Sequence, residues 1–263
     1  MAEVNRLHFN EEALTYDSKH GKLNERLTKE IQTRLDWVGV DWVTVDDDDD
    51  DDDSEDENED VDEPNEEAES AQPSREVRLL DYACGTGMMS RALAPYTTQC
   101  VGIDISENMV AAYNSRAKNQ GLSHDEMHAV VGDLAAADGP QPSDLLANLD
   151  FSFDVATVGG GLHHFGDPEL ATERLVERLR PGGVLFVWDF LPHGPSHGHF
   201  EKYGVVHHGL SEGRVRKMFE RAGAGKEFSL VVLGSGISFA HGENGEKGAM
   251  KRQIFFARGE KAV

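Results

Sequence analysis

Cysteine is scarce in this chain, because Cys84 and Cys100 are the only two among 263 residues. They provide neither a disulfide framework nor a zinc-binding pattern, and this scarcity indicates a reducing compartment. Long apolar runs are also lacking, since none approaches the roughly 18 residues of a membrane-spanning helix. Residues 1–10 have neither the basic nor the apolar part of a signal peptide. We therefore expect a soluble, cytoplasmic protein without a membrane span.

Basic residues are few, with 25 Lys and Arg against 49 Asp and Glu and a formal net charge of −24. Residues 46–70 hold 18 of the acidic residues and no Lys or Arg, which leaves −6 for the rest of the chain. No basic stripe is present, so we expect neither a nucleic-acid partner nor an anionic membrane partner. The tract is nearly free of apolar residues, and we predict that residues 46–74 form a disordered acidic insertion. A charge-based contact with a partner is the alternative interpretation.

Residues 1–45 precede the acidic tract and carry a helical pattern. We expect helices over residues 11–38, in two pieces separated by Gly21. An apolar residue recurs every four positions, which predicts one buried stripe along this segment, formed by Leu23, Leu27, Ile31 and Leu35.

Residues 75–263 alternate strand-like and helix-like segments at short spacing. This alternation predicts an α/β domain with a parallel sheet between two helical layers. The predicted helices begin at the capping residues Ser106, Asp167 and Ser211. Two segments near the end of the chain have no helical pattern between them and are expected to pair as a hairpin at the sheet edge, namely 226–233 and 252–258. The other predicted strands are 77–82, 99–104, 127–131, 153–158 and 184–189.

A glycine turn follows the first of these strands, in the segment VRLLDYACGTG at residues 77–87. Gly85 and Gly87 allow positive φ and a close approach of the backbone to a ligand, and the next helix points free N–H groups at the same place. With Ser90, the turn nearly matches the GxGxxG/A fingerprint of dinucleotide-binding proteins. The turn by itself is compatible with more than one nucleotide-like ligand.

Three carboxylates mark the ends of consecutive strands: Asp81, Asp104 and Asp133. Open α/β sheets bind ligands at this edge. A carboxylate directly before the turn opposes a pyrophosphate, whereas S-adenosylmethionine presents a sulfonium, an ammonium, a ribose diol and an adenine amine. We interpret Asp104 as the acceptor for both ribose hydroxyls, Asp133 as the partner of the adenine amine, and Asp81 as the partner of the cationic methionine end, directly or through water. An NAD-binding oxidoreductase is the alternative.

On these residues the chain resembles the class I S-adenosylmethionine-dependent methyltransferases over residues 77–189. The segments LHHF and VHHGL, at 162–165 and 206–210, are similar to the UbiE-like branch, which methylates small molecules. The resemblance implies a three-layer αβα Rossmann-like fold, with a seven-stranded, mostly parallel sheet and an antiparallel terminal hairpin strand. The matching motifs are the turn at 80–87, Asp104, GDL at 132–134, FDVATV at 153–158 and LRPGG at 179–183.

The resemblance implies S-adenosylmethionine as the cofactor, bound by the three carboxylates and by Ala83, Gly85 and Gly87. Ile105 and Leu134 would pack on the adenine, although ordinary core packing explains both nearly as well. Tyr16, in the setting ALTYD at 13–17, resembles the residue with which N-terminal helices close over the cofactor. The family usually has glycine where this chain has Ala83. A negative φ at this position makes the alanine harmless, and a positive φ makes it weaken cofactor binding.

The implied reaction is methyl transfer to a small-molecule acceptor, in which the protein aligns the nucleophile and removes its proton. His163 and His164 follow a triple glycine at the site rim. We hypothesise that one of them is a general base, and a histidine that only shapes the pocket is the equal alternative. The scattered histidines after the fifth strand lack metal-ligand spacing, so no metal is expected. A non-catalytic adapter that uses the acidic tract is a further alternative. The sequence indicates no oligomeric state.

Overall fold

Helices and strands alternate along the chain in the computed structural model, which describes residues 2–43, 75–135, 153–193, 204–239 and 250–263. The predicted acidic insertion at 46–74 lies outside these residues. The helices are α1 (Ala2–Glu12), α2 (Tyr16–Gln32), α3 (Leu35–Val38), α4 (Met88–Leu93), α5 (Glu107–Asn119), α6 (Pro168–Arg178) and α7 (Glu212–Ala222). The strands are β1 (Arg78–Tyr82), β2 (Gln99–Asp104), β3 (Met127–Val131), β4 (Phe153–Gly159), β5 (Leu179–Phe190), β6 (Lys226–Phe239) and β7 (Met250–Glu260).

The strands form one seven-stranded sheet in the order β3-β2-β1-β4-β5-β7-β6. β1 to β5 pair in parallel, and Leu80 of β1 lies opposite Val101 of β2 and Ala156 of β4. β7 lies between β5 and β6 and is antiparallel to both, which confirms the predicted hairpin. The chain order reverses between β1 and β4, and open sheets of this kind bind ligands outside the strand ends at such a switch point.

Helices cover both faces of the sheet. Successive strand residues point to opposite faces, so each face presents apolar side chains to its own layer of helices. Leu80 belongs to the cluster that packs against α6 and α7, where Leu175 and Phe219 are fully buried. Its neighbour Leu79 belongs to the cluster under α2, α4 and α5, with Ile31 among its buried members. The three-layer αβα arrangement is therefore confirmed. No helix in the described ranges is long and apolar enough to cross a bilayer.

The three predicted caps begin the three longest helices that the structure describes within residues 75–263. Ser106 accepts a hydrogen bond from the N–H of Met109 at 3.1 Å, and Asp167 accepts one from that of Leu170 at 2.9 Å. Ser211 likewise accepts from the N–H of Arg214 at 3.3 Å. Each bond satisfies a donor that has no partner within the helix.

The N-terminal helices differ from the prediction in where they begin and break. α1 starts at Ala2, well before residue 11, and α2 runs from Tyr16 to Gln32 through Gly21 without interruption. A glycine inside a helix costs only about 1 kcal/mol, which the packing of α2 outweighs. The predicted stripe is confirmed, because Leu27 and Ile31 are buried, and Leu23 and Leu35 pack against the same cluster.

The packing of α2 on the sheet predicts a large stability effect for Ile31→Ala. Ile31 is fully buried, so the truncation removes apolar contacts, leaves a cavity and lowers the free energy of unfolding by about 2 to 5 kcal/mol. Urea unfolding measures this change. The control Lys29→Ala alters an exposed position of the same helix and is expected to stay within about 0.5 kcal/mol of the wild type. Equal midpoints for the two variants would contradict the packing of α2 on the core.

Candidate active site

A cavity of about 410 Å³ lies at the carboxyl ends of the parallel strands, beside the switch point between β1 and β4. Its described walls come from α1, from the turn after β1, from the ends of β2 and β3, and from the loop after β4. Among the predicted site residues it is lined by Tyr16, Ala83, Gly85, Asp104, Ile105, Asp133 and His164. Four predicted residues lie outside this lining: Asp81, Gly87, Leu134 and His163.

Asp104 ends β2 with its side chain on the cavity wall and 7% exposed. The N–H of Gly85 donates to Oδ2 at 2.8 Å, and the N–H of Ser106 donates to Oδ1 at 2.9 Å. Burial raises the pKa of the Asp104 carboxyl to about 6, against the lowering effect of these bonds. A carboxylate has about four lone-pair sites, so each oxygen retains capacity for one further donor. The group is thus suited to accept two neighbouring hydroxyls.

The turn after β1 contains three residues with positive φ: Ala83 at 53°, Gly85 at 52° and Gly87 at 90°. Ala83 is therefore in the left-handed region, the conformation in which we expect the alanine to weaken cofactor binding. At Gly85 a Cβ would meet no atom within 4 Å, so the turn is open toward the cavity. At Gly87 a Cβ would lie 2.7 Å from the Tyr113 ring. The packing of the Tyr113 ring therefore requires glycine at this position, and Gly87 is not part of the cavity lining.

Asp81 lies beneath the turn and not on the cavity wall. Its Oδ2 accepts from the hydroxyl of Ser90 at 2.7 Å and from the N–H of Ser90 at 3.2 Å. Its Oδ1 accepts from the Thr157 hydroxyl at 3.2 Å. Complete burial raises the pKa of Asp81 to about 6. Asp81 thus fixes the start of α4 and is absent from the cavity lining, and its role toward the methionine end, directly or through water, stays a prediction.

The two predicted residues after β3 differ in placement. Asp133 lines the cavity, and its Oδ1 accepts from the Tyr82 hydroxyl and from the N–H of Ala135, both at 2.9 Å. Leu134 is 1% exposed and packs into the core between the sheet and α6 and α7. The structure thus shows core packing for Leu134, which was the alternative to a contact with the adenine.

The first helix, α1, supplies a wall of the cavity through residues that were not predicted individually. Asn5 and Phe9, one turn apart, both line the cavity. Asn5 donates from Nδ2 to the carbonyl of His164 at 2.9 Å, and the Phe9 ring lies 5.2 Å from that of His164. Their spacing of four residues places them on the same face of a helix, and this was the signal that the sequence offered. One polar and one aromatic residue do not form the apolar stripe by which such a face is recognised.

Polar contacts attach the N-terminal helices to the glycine turn and to α5. Arg6 pairs with Glu107 at the start of α5 at 2.9 Å, and Asn10 accepts from the Ser106 hydroxyl at 2.6 Å. At the start of α2, Asp17 accepts from Thr86 in the glycine turn at 2.5 Å and pairs with Arg116 of α5 at 2.6 Å. These contacts bring Tyr16 to the cavity. Burial, together with the charge of Asp104, raises the pKa of Tyr16 to about 12.

The two histidines after β4 have different environments. His163 donates from Nδ1 to Asp189 at 2.8 Å, is 7% exposed and does not line the cavity. His164 lines the cavity and donates from Nδ1 to the carbonyl of Gly204 at 3.2 Å, which leaves the lone pair on Nε2. Burial and the neighbouring His163 lower the pKa of His164 well below its usual range. Of the two predicted bases, the geometry therefore favours His164 and gives His163 a structural partner.

The cavity lining includes further residues besides those predicted individually. Tyr82 and Phe165 line the cavity with ring centroids 5.2 Å apart. Gly159 also lines it, and a Cβ there would lie 2.8 Å from Nε1 of Trp188, which explains why the first residue of the triple glycine has no side chain.

Among the described residues no group of three or more His, Cys, Asp or Glu side chains is arranged to hold a metal.

The positive φ of Ala83 predicts that Ala83→Gly stabilises the protein. An L-residue in the left-handed region costs about 1–2 kcal/mol, and Ala83→Gly relieves this strain. The larger conformational entropy of glycine in the unfolded chain offsets part of the gain in stability. We expect the free energy of unfolding to rise by about 0.5 to 1 kcal/mol, as measured by urea unfolding. In the control Ala111→Gly, on the exposed side of α5, the same change should lower stability by about 1 kcal/mol. A loss of stability in both variants would contradict strain at Ala83.

Comparison with known proteins finds similarity to methyltransferases over part of the chain. Residues 80–185 match the family described as "Methyltransferase domain". An uncharacterized methyltransferase of Schizosaccharomyces pombe is 36% identical over 137 residues, which cover 50% of this chain and 47% of that protein. A ubiquinone biosynthesis O-methyltransferase of Rhizobium etli is 30% identical over 119 residues, covering 45% and 43% respectively. The chain spans less than half the length of these two relatives.

Among solved structures, YcgJ of Bacillus subtilis aligns with 72% of this chain and 93% of its own length, with a TM-score of 0.53. At 18% identity this likeness shows a shared fold. The domain matched over residues 80–185 and the methyltransferase relatives show that this part of the chain is similar to methyltransferases, and the seven-stranded sheet is the fold that the chain shares with YcgJ.

Proposed function

We propose that this chain transfers a methyl group from S-adenosylmethionine to a small-molecule acceptor in the cytoplasm. The observation that carries the proposal is the placement of Asp104. Its nearly buried carboxylate lies on the cavity wall, is held by two backbone N–H groups and retains acceptor capacity on both oxygens. A vicinal diol such as that of a ribose matches this pair of acceptors.

The rest of the cavity fits the same cofactor. Its volume of about 410 Å³ is within the usual range of small-molecule sites. We assign Asp104 to the ribose, Asp133 to the adenine amine, Ile105 to the adenine face, and the backbone of Ala83 and Gly85 to the methionine end. When bound, S-adenosylmethionine supplies a sulfonium methyl group, which leaves with the S–C electron pair remaining on sulfur.

The charge of the walls favours this cofactor over a dinucleotide. Asp104, Asp133 and Asp167 all line the cavity, and its described lining includes no Lys or Arg. A pyrophosphate in such a site would meet repulsion without a compensating cation, whereas a sulfonium and an ammonium are attracted. The described walls thus support the methyl donor and not NAD.

His164 is the residue that we assign to the acceptor. Its Nε2 lone pair can accept the proton that an O–H or N–H nucleophile loses as its new bond to carbon forms. Residues 1–45 act as the cap of the site, because α1 and Tyr16 close one side of the cavity and exclude water from the reacting groups.

Binding of S-adenosylhomocysteine is expected to weaken as the pH falls through about 6. Asp104, with its pKa of about 6, is ionised above this value and accepts two hydroxyls. Below it, the protonated carboxyl loses one acceptor position, so affinity should fall up to about tenfold between about pH 7.5 and about pH 5. Isothermal titration measures the dissociation constant at each pH.

Asp104→Asn is the matched control for this pH dependence. Loss of the charged acceptor should weaken binding about 10- to 100-fold at neutral pH and remove the slope that Asp104 causes. Asp81, with a similar pKa, is unchanged in the variant, so the difference between the two proteins isolates Asp104. Equal affinities for the wild type and Asp104→Asn at neutral pH would overturn the site assignment.

The methyl-transfer activity itself is tested with a cofactor carrying an isotopic label in its methyl group. The protein is incubated with this cofactor and a metabolite extract, and mass spectrometry identifies the small molecule that gains the label. We expect a labelled product with the wild type and none with Asp104→Asn at low cofactor concentration. Binding of NAD without binding of S-adenosylhomocysteine, or cofactor binding with no labelled product from any extract, would count against the proposal.

A further inference from the structure

A buried carboxylate, Asp189, lies near the end of β5 and holds the first of the two histidines after β4. Its Oδ2 accepts from the N–H of His163 at 3.1 Å, and its Oδ1 accepts from Nδ1 of the same residue at 2.8 Å. The N–H of Phe190 also donates to Oδ1, at 2.7 Å. An ionised carboxylate only accepts hydrogen bonds, so the proton of the His163 contact lies on Nδ1. Asp189 therefore holds both the backbone and the ring of His163.

The surroundings of Asp189 keep this contact inside the protein. Asp189 is fully buried, and neither it nor His163 lines the cavity. The guanidinium of Arg252 carries the opposing charge. Burial lowers the pKa of Arg252, and the charge of Asp189 acts against this shift. A buried carboxylate that loses a donor is costly, and charge-assisted hydrogen bonds are roughly twice as strong as neutral ones, so the position of His163 is closely determined.

His163 in turn holds a segment of the chain that follows β5. Its carbonyl accepts from the N–H of Val206 at 2.9 Å and from that of His207 at 3.0 Å. Gly204 lies two residues before Val206, and its carbonyl accepts from Nδ1 of His164 at 3.2 Å. Asp189 is therefore connected to the ring of His164 through two sets of hydrogen bonds and a short stretch of backbone.

Gly204 and α1 together restrict the position of His164. Gly204 has a φ of 67°, and a Cβ at this position would overlap Oδ1 of Asn5 in α1. Asn5 donates from Nδ2 to the carbonyl of His164 at 2.9 Å, so α1 holds the backbone of His164 while Gly204 holds its ring. A carbonyl only accepts hydrogen bonds, so the proton of the neutral His164 ring lies on Nδ1 and the lone pair on Nε2.

We infer that Asp189 and His163 are positioning residues of the methyl-transfer site, which hold residues 204–207 so that the Gly204 carbonyl keeps the proton of His164 on Nδ1. This inference rests on the proposed function, in which Nε2 of His164 receives the proton of the acceptor. It gives His163 a role through its hydrogen bonds within the protein. What the reaction needs from the His163 side chain is then its donor to Asp189 and not its basicity.

Two substitutions at His163 separate a donor from a base. His163→Asn can donate to Asp189 from its amide Nδ2 but has no nitrogen that accepts a proton, and His163→Leu can do neither. We expect the rate of label transfer to the products of a metabolite extract to stay within about threefold for His163→Asn and to fall about 10- to 100-fold for His163→Leu. S-adenosylhomocysteine should bind both variants within about twofold of the wild type. Equal losses in both variants, or no loss in either, would overturn the inference.

The tautomer of His164 is observed directly by two-bond 15N–1H NMR spectra, in which a protonated ring nitrogen and one with a lone pair have separate chemical shifts. We expect the Nδ1–H tautomer in the wild type and in His163→Asn, and a mixture of tautomers in His163→Leu; loss of signals in His164→Phe assigns the ring. The control Phe228→Ala removes a ring that packs on Phe219, away from the cavity, and should lower stability without changing the tautomer.

A purely structural role of His163 would make His163→Leu resemble this control, with lower stability and an unchanged His164 tautomer, and that result would overturn the inference. The spectra need neither cofactor nor acceptor, so they test the positioning of His164 separately from the proposed function. A wild-type protein that fails to bind S-adenosylhomocysteine would refute the proposed function by itself.

Discussion

The hydrogen bonds from the backbone of Gly85 and Ser106 to the carboxylate of Asp104 are the constraint on which the site depends. They fix the turn after β1 against the end of β2, so a single side chain sets the distance between two walls of the cavity. Burial of this carboxylate is unfavourable, as its raised pKa shows, and the two N–H donors offset part of that cost. The same geometry requires an open backbone at Gly85 and a left-handed residue at Ala83.

The N-terminal helices complete the site and are attached to the same turn. Asp17 bonds to Thr86 within the turn, and Arg6 and Asn10 bond to the start of α5, directly after Asp104. The contacts to the glycine turn and to the start of α5 thus also position Phe9 and Tyr16 on the cavity wall. These polar contacts link α1 and the start of α2 to the turn and to α5, in addition to the apolar packing of α2 on the core.

Sequence reasoning predicted the fold well because the relevant signals are local. Alternating apolar segments, three caps and a terminal pair without a helix between them gave the sheet, the layers and the hairpin. The roles of the strand-end carboxylates were harder to predict, because a residue's position near the end of a strand does not show on which face of the sheet its side chain lies. Asp81 and Tyr82 are neighbours in β1, yet Tyr82 lines the cavity and Asp81 lies beneath the turn. His163 and His164 are likewise neighbours, in a 3-10 turn after β4, and only His164 lines the cavity.

By itself the sequence determined the class of fold, the glycine turn and the carboxylate Asp104. Strand periodicity, turn conformation and charge each depend on residues that are close together in the sequence. Only the tertiary structure decided which side chains meet. Asn5 and Phe9 reach a histidine about 160 positions away. The tautomer of His164 depends on the carbonyl of Gly204, from a segment beyond the fifth strand. Such contacts arise from the path of the chain across the sheet, and no local pattern encodes them.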